Sequence, residues 1–541
     1  MTIRIQRLAM IYGIDLGTTF SAVAYVNRAG EPVVVPLGEN RLTIPSAVLF
    51  VGENQVYVGE QAIERSYQEG SLLVQFAKRD IGLQNGRTWN YGGWEYKAEE
   101  ISALILRKIA QQVNMDRTLP RMQEVVISHP QYFYMNQKEA TKEAGELAGL
   151  KVVATITEPN AAAIAYGVYE RAQNRELTVL VFDLGGGTFD VTLMRVGQGR
   201  VKMIGGDGDA RLGGIDWDYE IVKWAKEHFR FRVGEEFDDV ATPEDNIRLW
   251  NEARQAKEAL SRSDMCRFEV RVQGMMLPVE ITRGEFERMC GYLVERCLAR
   301  CDRLFERTRY DWDRVDEILM VGGSTKMPMI QEAVRRASGK DPHIGRDPKL
   351  MVAKGAAIWG YWIREGRVDP RWVKDQDQDQ DQEQEQEQEQ EPSELEIPEV
   401  SGCTAHGLGV LVRKGDREIV RMLIPQNAST PCTKEETFYT AKDNATSILV
   451  PLYEGESEDP SACNQIGQVI IDGLPPRPRG QPVTVKFSID VAGRLEVEVR
   501  DVQAGRREIV RVDRNFLRTG TSQQEVDFET RRKHLDQIRV F

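Results

Sequence analysis

The chain has 541 residues, a formal net charge of −13 and a hydrophobic fraction of 41%. This length allows several domains with sizeable cores, and no apolar stretch of about eighteen residues predicts a transmembrane helix. The acidic charge is concentrated in one tract, and no basic stripe indicates nucleic-acid binding. Seven unevenly placed cysteines fit reduced thiols, and the N-terminus lacks a secretory signal. We therefore expect a cytoplasmic protein with neither a nucleic-acid nor a membrane partner.

Two segments, residues 11–26 and 178–194, carry the same unusual pattern. In each, an apolar run leads into Asp-Leu-Gly and small or hydroxyl residues, and a second apolar run follows. This order predicts two hairpins with glycine-rich turns, where backbone N–H groups can approach an anion closely. Asp15 and Asp183 lie at the strand ends, where a carboxylate can hold a hydrated divalent cation. The repeat predicts one nucleotide clamped between two similar lobes, although two ordinary tight hairpins would give the same pattern.

The commoner nucleotide-binding folds do not fit these turns. No GxxxxGK[ST] is present, which excludes a P-loop, and no GxGxxG opens a helix after the first strand. A hairpin after the phosphate turn, instead of a helix, indicates the actin-like, sugar-kinase-like superfamily.

Strand signals alternate with amphipathic helices over residues 1–364, which predicts a mixed sheet covered by helices. The clearest helical segments are residues 99–113, 136–150 and 159–173. The segment 242–310 is predicted to be helical at both ends, around the strand-like residues 266–281.

The remainder of the chain changes character twice. Residues 375–391 contain nine acids, eight glutamines and no base, so they should form a disordered, extended tether. From about residue 400, short strands with turn signals predict a β-sandwich. These strands are expected within residues 408–412, 421–424, 446–453, 467–473, 483–490 and 494–500. Residues 515–541 could supply one short helix at most.

Several motifs carry a resemblance to a known family. The segments TITEPNAAAIAYGV (155–168), VFDLGGGTFDV (181–191) and ILMVGGSTKMPMIQ (318–331) closely resemble the nucleotide-binding domain of the 70-kDa heat-shock (DnaK-type) chaperones. That resemblance covers residues 10–364. It continues more weakly through 423–444, 453–456, 475–480 and 487–499, which look like the β-rich substrate-binding domain of that family.

The resemblance implies an α/β fold, with a two-lobed actin-like ATPase of ribonuclease-H-like lobes followed by an all-β sandwich. We expect a nucleotide-binding domain at 1–370, an acidic linker at 371–399, a substrate-binding-like sandwich at 400–514 and a short tail at 515–541 without the usual helical lid. The implied function is that of a chaperone that hydrolyses ATP with Mg²⁺ and binds extended apolar segments of unfolded polypeptides.

The resemblance also implies a set of phosphate-site residues. Asp15 and Asp183 would hold Mg²⁺, and Lys78 would place the attacking water. Asp190 would orient that water or accept its proton, and Glu158 would lie near the metal and the lobe hinge. The β- and γ-phosphates would be gripped by Gly17, Thr18, Thr19, Gly185, Gly186, Gly187 and Thr188. Catalysis is thus assigned to Lys78, Asp15, Asp190, Thr188 and Glu158.

The nucleoside would lie further along the same cleft. Lys257 and Ser261 match residues that contact adenosine. Gly322, Gly323 and Ser324 would let base and ribose lie against the backbone. Lys326 stands where the family usually has an arginine stacked on adenine, so stacking should weaken.

Other departures concern partners and coupling between the domains. Lys138 replaces an arginine that, with a proline matched by Pro130, relays the nucleotide state. Ala154 replaces an arginine that contacts J-domain cochaperones, which leaves that partner open, while a nucleotide-exchange factor is a further candidate partner. Arg254 replaces a glutamate of the adenosine-contacting helix, and Arg211 replaces a polar residue before LGG.

The tether offers little apolar surface for coupling. Only Leu395 and Ile397 follow the acidic tract as apolar residues that could dock on the nucleotide-binding domain, so the sequence predicts weak coupling.

Two further groups of residues have competing interpretations. Phe438, Ala441, Ile448 and Val450 match peptide-groove positions, although apolar alternation in a strand normally marks a core. A groove position that is usually methionine falls on or near Arg413. Cys290, Cys297 and Cys301 share a helical face, but without a CxxC pair or nearby histidine they are expected to be buried small hydrophobes.

Three functions compete at this point. The first is the ATP-hydrolysing chaperone without a lid. The second is a protein that uses ATP as a conformational ligand and serves one dedicated partner, with weak interdomain coupling. The third, a small-molecule kinase of the same superfamily, has no use for Lys78 or for the sandwich.

Overall fold

The computed structural model describes most of the chain. It covers residues 10–38, 41–52, 54–66, 71–83, 85–167, 175–197, 200–345, 347–366, 399–415, 417–490, 494–512 and 528–541. None of the helices within these ranges is long and apolar enough to cross a bilayer. Residues 367–398, which include most of the predicted tether with Leu395 and Ile397, lie outside the described residues.

The first lobe, lobe I, is built on a sheet in the order β11-β10-β1-β2-β3, with β4 paired to β2. Its strands are β1 (Ile11–Asp15), β2 (Phe20–Val26), β3 (Pro32–Val34), β4 (Ile44–Pro45), β5 (Ala47–Gly52), β6 (Gln55–Val58), β7 (Leu72–Gln75), β8 (Trp89–Tyr91), β9 (Trp94–Tyr96), β10 (Glu124–His129) and β11 (Lys151–Thr157). Strand β1 is parallel to β10 and antiparallel to β2, so the first predicted hairpin is confirmed.

Helices cover this sheet where the sequence predicted them. The helices of lobe I are Glu60–Glu64, Ala98–Met115, Met135–Leu147 and Glu158–Ala165, with a 3-10 turn at Ala77–Asp80. Residues 168–173 of the third predicted helix lie outside the described residues. The helix Met351–Arg364 returns from the end of lobe II and packs on β1, β2 and the helix Glu158–Ala165.

The second lobe, lobe II, repeats the arrangement of lobe I. Its strands are β12 (Leu177–Leu184), β13 (Phe189–Gly197), β14 (Arg200–Asp209), β15 (Met265–Val272), β16 (Met275–Thr282), β17 (Glu317–Val321) and β18 (His343–Ile344). Strand β12 is antiparallel to β13 and parallel to β17, as β1 is to β2 and β10. The second predicted hairpin is therefore also confirmed.

The helical part of lobe II includes the predicted helix–hairpin–helix unit. Its helices are Gly214–Val233, Phe237–Val240, Pro243–Leu260, Arg283–Thr308 and Pro328–Ser338, with 3-10 turns at Trp312–Arg314 and Gly323–Lys326. The hairpin β15–β16 separates two of these helices, as the strand-like residues 266–281 predicted. Thr242 and Thr282 each accept a hydrogen bond from the backbone N–H three residues later, which fixes where both helices begin.

The β-rich part forms two four-stranded sheets around one apolar core. Its strands are β19 (Glu399–Ser401), β20 (Gly407–Lys414), β21 (Arg417–Ile424), β22 (Cys432–Tyr439), β23 (Ser447–Gly455), β24 (Asn464–Asp472), β25 (Pro482–Ile489), β26 (Leu495–Asp501) and β27 (Arg507–Arg511), with a 3-10 turn at Pro460–Ala462. The sheets have the orders β21-β20-β23-β24 and β22-β25-β26-β27. The six predicted strands are present. The sequence did not predict β22 or β27, whose side chains are mostly exposed.

Strand β19 joins the two-lobed part to the sandwich. It does not belong to either sandwich sheet, but pairs in parallel with residues Arg200–Lys202 of β14 and so extends the sheet of lobe II. The sequence interpretation considered only Leu395 and Ile397 as docking residues. The observed docking uses backbone hydrogen bonds of residues that follow them.

The final element is the C-terminal segment, residues 528–541, which packs into lobe I. It consists of the helix Phe528–Gln537 and the strand β28 (Arg539–Val540), which is parallel to β6 and extends the sheet to β28-β6-β5-β7. Leu535 is fully buried in the core of lobe I, and Ile538 is nearly so. The sequence predicted the short helix, but not this packing.

Polar contacts hold the helix of the C-terminal segment. The guanidinium of Arg531 is 6% exposed and lies 2.8 Å from a carboxylate oxygen of Glu143, with Glu100 at 3.5 Å and Glu99 at 3.7 Å. Arg107 of lobe I donates to the carbonyl of Leu535 and, at 2.6 Å, to the carboxylate of Asp536.

Aromatic and backbone contacts complete the attachment. His534 stacks on Trp94 with ring centroids 3.9 Å apart. The backbone N–H of Arg539 donates to Asn54 at 2.8 Å, and that of Phe541 donates to Val56 at 2.9 Å. The C-terminal segment is thus an integral part of lobe I.

Candidate nucleotide site

A cleft of about 340 Å³ lies between the two lobes, and both Asp-Leu-Gly turns face it. Strand β1 ends at Asp15, and Asp183 is the penultimate residue of β12, so the repeated hairpins bring the two carboxylates to one place. The predicted site residues that line the cleft are Asp15, Gly17, Thr18, Thr19, Lys78, Glu158, Asp183, Gly185, Gly186, Thr188, Lys257, Ser261, Gly322, Gly323, Ser324 and Lys326. Gly187 and Asp190 are not among the lining residues.

The two glycine-rich turns approach each other too closely for side chains. A Cβ atom added to Gly186 would lie 2.1 Å from the hydroxyl oxygen of Thr19, and one added to Gly187 would lie 2.4 Å from Cγ2 of Thr18. Any other residue at these positions would push the lobes apart. The glycines therefore leave room for backbone N–H groups to face a ligand in the cleft.

Three carboxylates and one lysine form the floor of the cleft, and a fourth carboxylate, that of Asp190, lies beneath it. Glu158, Asp183 and Asp190 are buried, and Asp15 is half-buried. Burial, reinforced by Glu158, raises the pKa of Asp15 to about 7 and that of Asp190 to about 7, and raises the pKa of Asp183 well above its ordinary value. This excess of negative charge fits a bound cation.

Mg²⁺ suits the floor because it keeps several of its own water ligands. Asp15 and Asp183 supply two carboxylates from opposite lobes. Among the described residues, no group of three or more His, Cys, Asp or Glu side chains is close enough to hold an ion. The site therefore fits a hydrated ion that also binds the phosphates of a nucleotide.

Lys78 is held in the floor by a buried ion pair. Its ammonium donates to Glu158 at 2.7 Å, and both side chains are less than 10% exposed. Burial alone would lower the pKa of Lys78, but the carboxylates of Glu158 and Asp15 raise it above its ordinary value. A permanently charged lysine therefore faces the cleft from the 3-10 turn Ala77–Asp80.

Asp190 lies beneath the floor and connects it to the sandwich. Its carboxylate accepts a hydrogen bond of 3.1 Å from the backbone N–H of Tyr132. The carbonyl of Tyr132 in turn lies 3.0 Å from Nε2 of His406, and Nδ1 of His406 lies 2.6 Å from the carboxylate of Glu456. Both ring nitrogens of His406 thus lie within hydrogen-bond distance of an oxygen atom.

Other contacts surround this connection. The ring of His406 stacks on that of Tyr134 at 3.9 Å and is completely buried. The backbone N–H of Met135 donates to the carboxylate of Glu454 at 3.0 Å, and burial lowers the pKa of the nearby Lys138. The segment after Pro130 thus touches the phosphate site on one side and the sandwich on the other.

The nucleoside end of the cleft is lined by lobe II. Lys257 pairs with Asp218 at 2.8 Å and donates to the carbonyl of Gly214 at 2.8 Å. Ser324 donates to the carbonyl of Gly185 at 2.8 Å and so ties this end to the phosphate turn. Lys326 pairs with Asp347 at 3.1 Å, so its ammonium is held by a carboxylate and is not free to lie over an adenine ring.

The sequence interpretation missed several residues of the site. Arg79 donates to the carbonyl of Gly187 at 3.0 Å and pairs with Asp216 at 2.9 Å, so it bridges the two lobes. Asp218 is the buried partner of Lys257, and Phe20 and Lys349 line the cleft. Arg79 adjoins Lys78 in FAKRDIG (76–82), a segment that also fits the family pattern and could have indicated it. Phe20 directly follows Thr19 in the first repeated segment, and Asp218 ends ARLGGIDWD (210–218), which fits the same pattern. Lys349 carries no local signal.

The comparison with known proteins decides the family. The profile of the family described as "Hsp70 protein" matches residues 11–377 and 402–535. The chain belongs to the Hsp70 family. It is similar to "Chaperone protein DnaK" of Metamycoplasma hominis, with 34% identity over 524 residues that span 96% of this chain and 81% of that protein. It is also similar to "Heat shock 70 kDa protein 7, chloroplastic" of Arabidopsis thaliana, with 32% identity over 538 residues, 93% of this chain and 69% of that protein.

These matches confirm the resemblance inferred from the motifs, and with it the fold class. Members of the Hsp70 family are ATP-binding chaperones. In general they are ATPases that use Mg²⁺ and bind unfolded polypeptides. Both the two-lobed part and most of the sandwich lie within the matched ranges.

The four candidate peptide-groove residues of this Hsp70 chain do not share one surface. Phe438 lies on β22 and Ile448 on β23, which belong to different sheets, and both pack half-buried against the sandwich core. Val450 is buried in that core, whereas Ala441 is exposed and outside any strand. Phe438, Ile448 and Val450 all contact the apolar core of the sandwich. A peptide groove that used these residues would have to open beside that core.

The three cysteines of the helix Arg283–Thr308 are core residues. Cys290, Cys297 and Cys301 are fully buried in the main core of lobe II. Burial raises the pKa of each thiol. This confirms the interpretation as small buried hydrophobes.

Proposed function

We propose that this Hsp70 protein binds and hydrolyses ATP and couples that reaction to the binding of extended apolar segments of unfolded polypeptides. The observation that carries the proposal is the cleft itself. Two Asp-Leu-Gly turns face each other across a floor that holds Asp15, Asp183 and the ion pair of Lys78 with Glu158. This arrangement joins phosphate-gripping turns, cation-binding carboxylates and a fixed positive charge.

In the proposed reaction the turns grip the phosphates and the floor supplies the polar groups. Thr18 and Thr19 from one lobe and Gly185 to Thr188 from the other would donate to phosphate oxygens. Asp15 and Asp183 would hold Mg²⁺, which neutralises phosphate charge. Lys78 would orient the attacking water and stabilise charge on the phosphoryl oxygens, and Asp190 would accept the proton of the water.

Binding and turnover of MgATP test this proposal directly. We expect stoichiometric ATP binding that requires Mg²⁺, single-turnover release of phosphate, and binding of unlabelled apolar peptides in competition with a labelled one. Absence of phosphate release from a protein that binds ATP would contradict the hydrolysis step and favour a purely conformational role of ATP.

The alternative is a protein that serves one dedicated partner. The number of different ligands that the chain binds distinguishes this alternative from a general chaperone. A panel of unrelated apolar peptides should bind if the chain is a general chaperone, whereas a native-protein pull-down should recover one partner if it is dedicated. A nucleotide-exchange factor and a J-domain cochaperone are also proposals. Ala154, in place of the family arginine, should weaken the second.

The first prediction concerns coupling through His406. Because His406 joins the sandwich to Tyr132, whose N–H binds Asp190, we expect His406→Ala to reduce the factor by which ATP changes peptide affinity. Allosteric coupling typically amounts to roughly 5- to 150-fold, and the variant should bring this factor close to one. Fluorescence anisotropy of a labelled peptide, with ADP and with ATP, measures it.

The weak coupling predicted from the tether alone did not include the contacts of β19 and His406. A matched control is His343→Ala, which removes an exposed histidine on β18 and should leave the ATP effect unchanged. An ATP effect of wild-type size in His406→Ala would show that this contact carries no coupling. A negligible ATP effect in the unmodified protein would support the weak-coupling interpretation.

The second prediction concerns release of bound peptide. The described helix that follows the sandwich packs on lobe I, so among the described residues strand pairing and shallow pockets of the sandwich would hold the peptide. Dissociation should therefore be fast in every nucleotide state. Stopped-flow release of a labelled apolar peptide measures this rate, and dissociation over many minutes in the ADP state would contradict the expectation.

A further inference from the structure

The nucleoside end of the cleft carries more positive than negative charge. Five cationic side chains line it, and these are Arg254, Lys257, Arg262, Lys326 and Lys349. Asp218 and Glu258 line the same end, and Asp347 lies beside it. The floor of the cleft has the opposite imbalance, so the two ends are electrostatically distinct.

Each lysine at this end forms an ion pair within 4.0 Å, whereas Arg254 is attracted to the carboxylate of Asp218 only over a longer distance. Lys257 pairs with Asp218 at 2.8 Å, Lys326 with Asp347 at 3.1 Å and Lys349, more loosely, with Glu258 at 3.7 Å. Within the part of the chain that the structure describes, no carboxylate oxygen lies within 4.0 Å of the guanidinium nitrogens of Arg254 or Arg262.

Two of the cations converge on one aromatic ring across the cleft. The ammonium of Lys349 lies 4.8 Å from the ring centroid of Phe20, and the guanidinium carbon of Arg254 lies 5.7 Å from it. Phe20 belongs to lobe I and Arg254 to the helix Pro243–Leu260 of lobe II. Burial, the largest cause, and repulsion from Lys326 and Lys257 lower the pKa of Lys349 against the attraction of Glu258 and Asp347. Lys349 and Arg254 thus hold two positive charges beside one ring.

Bound ATP would not neutralise the positive charge at the nucleoside end of the cleft. If its phosphates lie on the glycine-rich turns, its ribose and adenine lie between the cations, and both are uncharged. A phosphate group attached to the ribose would place acceptor oxygens there, and an arginine binds phosphate in a planar, two-pronged geometry.

We propose that the cleft binds adenine nucleotides that carry a second phosphate on the ribose more tightly than it binds ADP. The inference rests on the proposed nucleotide function and names a ligand class for the same cleft. Arg254 and Lys349 are the residues that set this preference, with Arg262 at the outer edge.

Equilibrium binding of matched ligands tests the inference. The probes are ADP, adenosine 3′-phosphate 5′-diphosphate and its 2′-phosphate isomer, each titrated by calorimetry with Mg²⁺. One isomer should bind about tenfold or more tightly than ADP, since hydrogen bonds to charged groups are the strong ones. The ratio should decrease as salt is raised, because partly exposed charges are screened.

Variants locate the preference. Arg254→Gln and Lys349→Gln should each bring the ratio of the two dissociation constants towards one, and an unchanged thermal melting temperature of each variant without ligand reports that it folds. The matched control is Arg271→Gln, an exposed arginine on β15 that pairs with Glu269 outside the cleft, and it should keep the ratio.

The outcomes separate this inference from the function on which it rests. If ADP binds and neither isomer binds more tightly, the inference is wrong and the nucleotide function stands. A preference that survives in both Arg254→Gln and Lys349→Gln also overturns it. If none of the three nucleotides binds, the proposed function fails and the inference fails with it.

Discussion

Lys78→Ala should still bind ATP but should lose single-turnover hydrolysis by a factor on the order of 10²–10³. The ammonium of Lys78 is fixed at 2.7 Å from Glu158, lines the cleft and is attracted by the carboxylates of Asp15 and Asp190. It is therefore placed before the reaction begins, and a preorganised charge is worth most where water is excluded. Rapid-quench measurement of phosphate release from pre-bound ATP gives the rate.

The controls for Lys78 address charge and folding. Lys151→Ala removes an exposed lysine of lobe I, paired only with Glu124, and should leave hydrolysis unchanged. The double variant Lys78→Ala/Glu158→Gln relieves the unpaired carboxylate that the single variant leaves buried. If Lys78→Ala hydrolyses ATP at the wild-type rate, Lys78 has no part in the mechanism.

The second large effect is expected from the C-terminal segment. Arg531→Met should destabilise lobe I by about 3–5 kcal/mol, because it leaves buried carboxylates without their cation. Glu143 lies 2.8 Å from Arg531, and burial raises the pKa of Glu99, so its ionised form depends on this partner. The expected result is a lower melting midpoint for lobe I and faster amide exchange along β6.

Two controls make this measurement specific. Arg532→Met changes the adjacent, exposed arginine and should leave the free energy of unfolding within about 0.5 kcal/mol of wild type. A chain that ends at residue 527 should lose the same protection of β6 as Arg531→Met. Equal stability of Arg531→Met and wild type would mean that the carboxylates do not need the arginine.

The sequence predicted what is encoded locally. Each Asp-Leu-Gly hairpin occupies fewer than about twenty consecutive residues, so strand, turn and carboxylate are visible together. The helix–hairpin–helix unit was also predicted, because its strand-like residues 266–281 lie between two helical segments, and the structure shows a threonine cap at the start of each helix. Gly186 and Gly187 were assigned from their motif, but only the structure gives their close contact with Thr18 and Thr19.

What the sequence could not predict depends on distant partners. Arg531 finds Glu143 across 388 positions, and His406 finds Tyr132 across 274. In sequence each is a single polar residue in an ordinary segment, and nothing nearby distinguishes it from a solvated side chain. Their burial follows from how the sandwich and the C-terminal segment pack against the lobes, which no local pattern encodes.

The pairing of β28 with β6 also has a consequence for the order of synthesis. Residues 55–58 leave the ribosome long before residues 539–540, so the β6 edge of lobe I has no covering strand while the rest of the chain is made. An open strand edge can pair with the wrong partner. The loop that β28 must close is long, but closure entropy rises only with the logarithm of its length. Lobe I should therefore complete its folding last, after the sandwich, even though its sequence comes first.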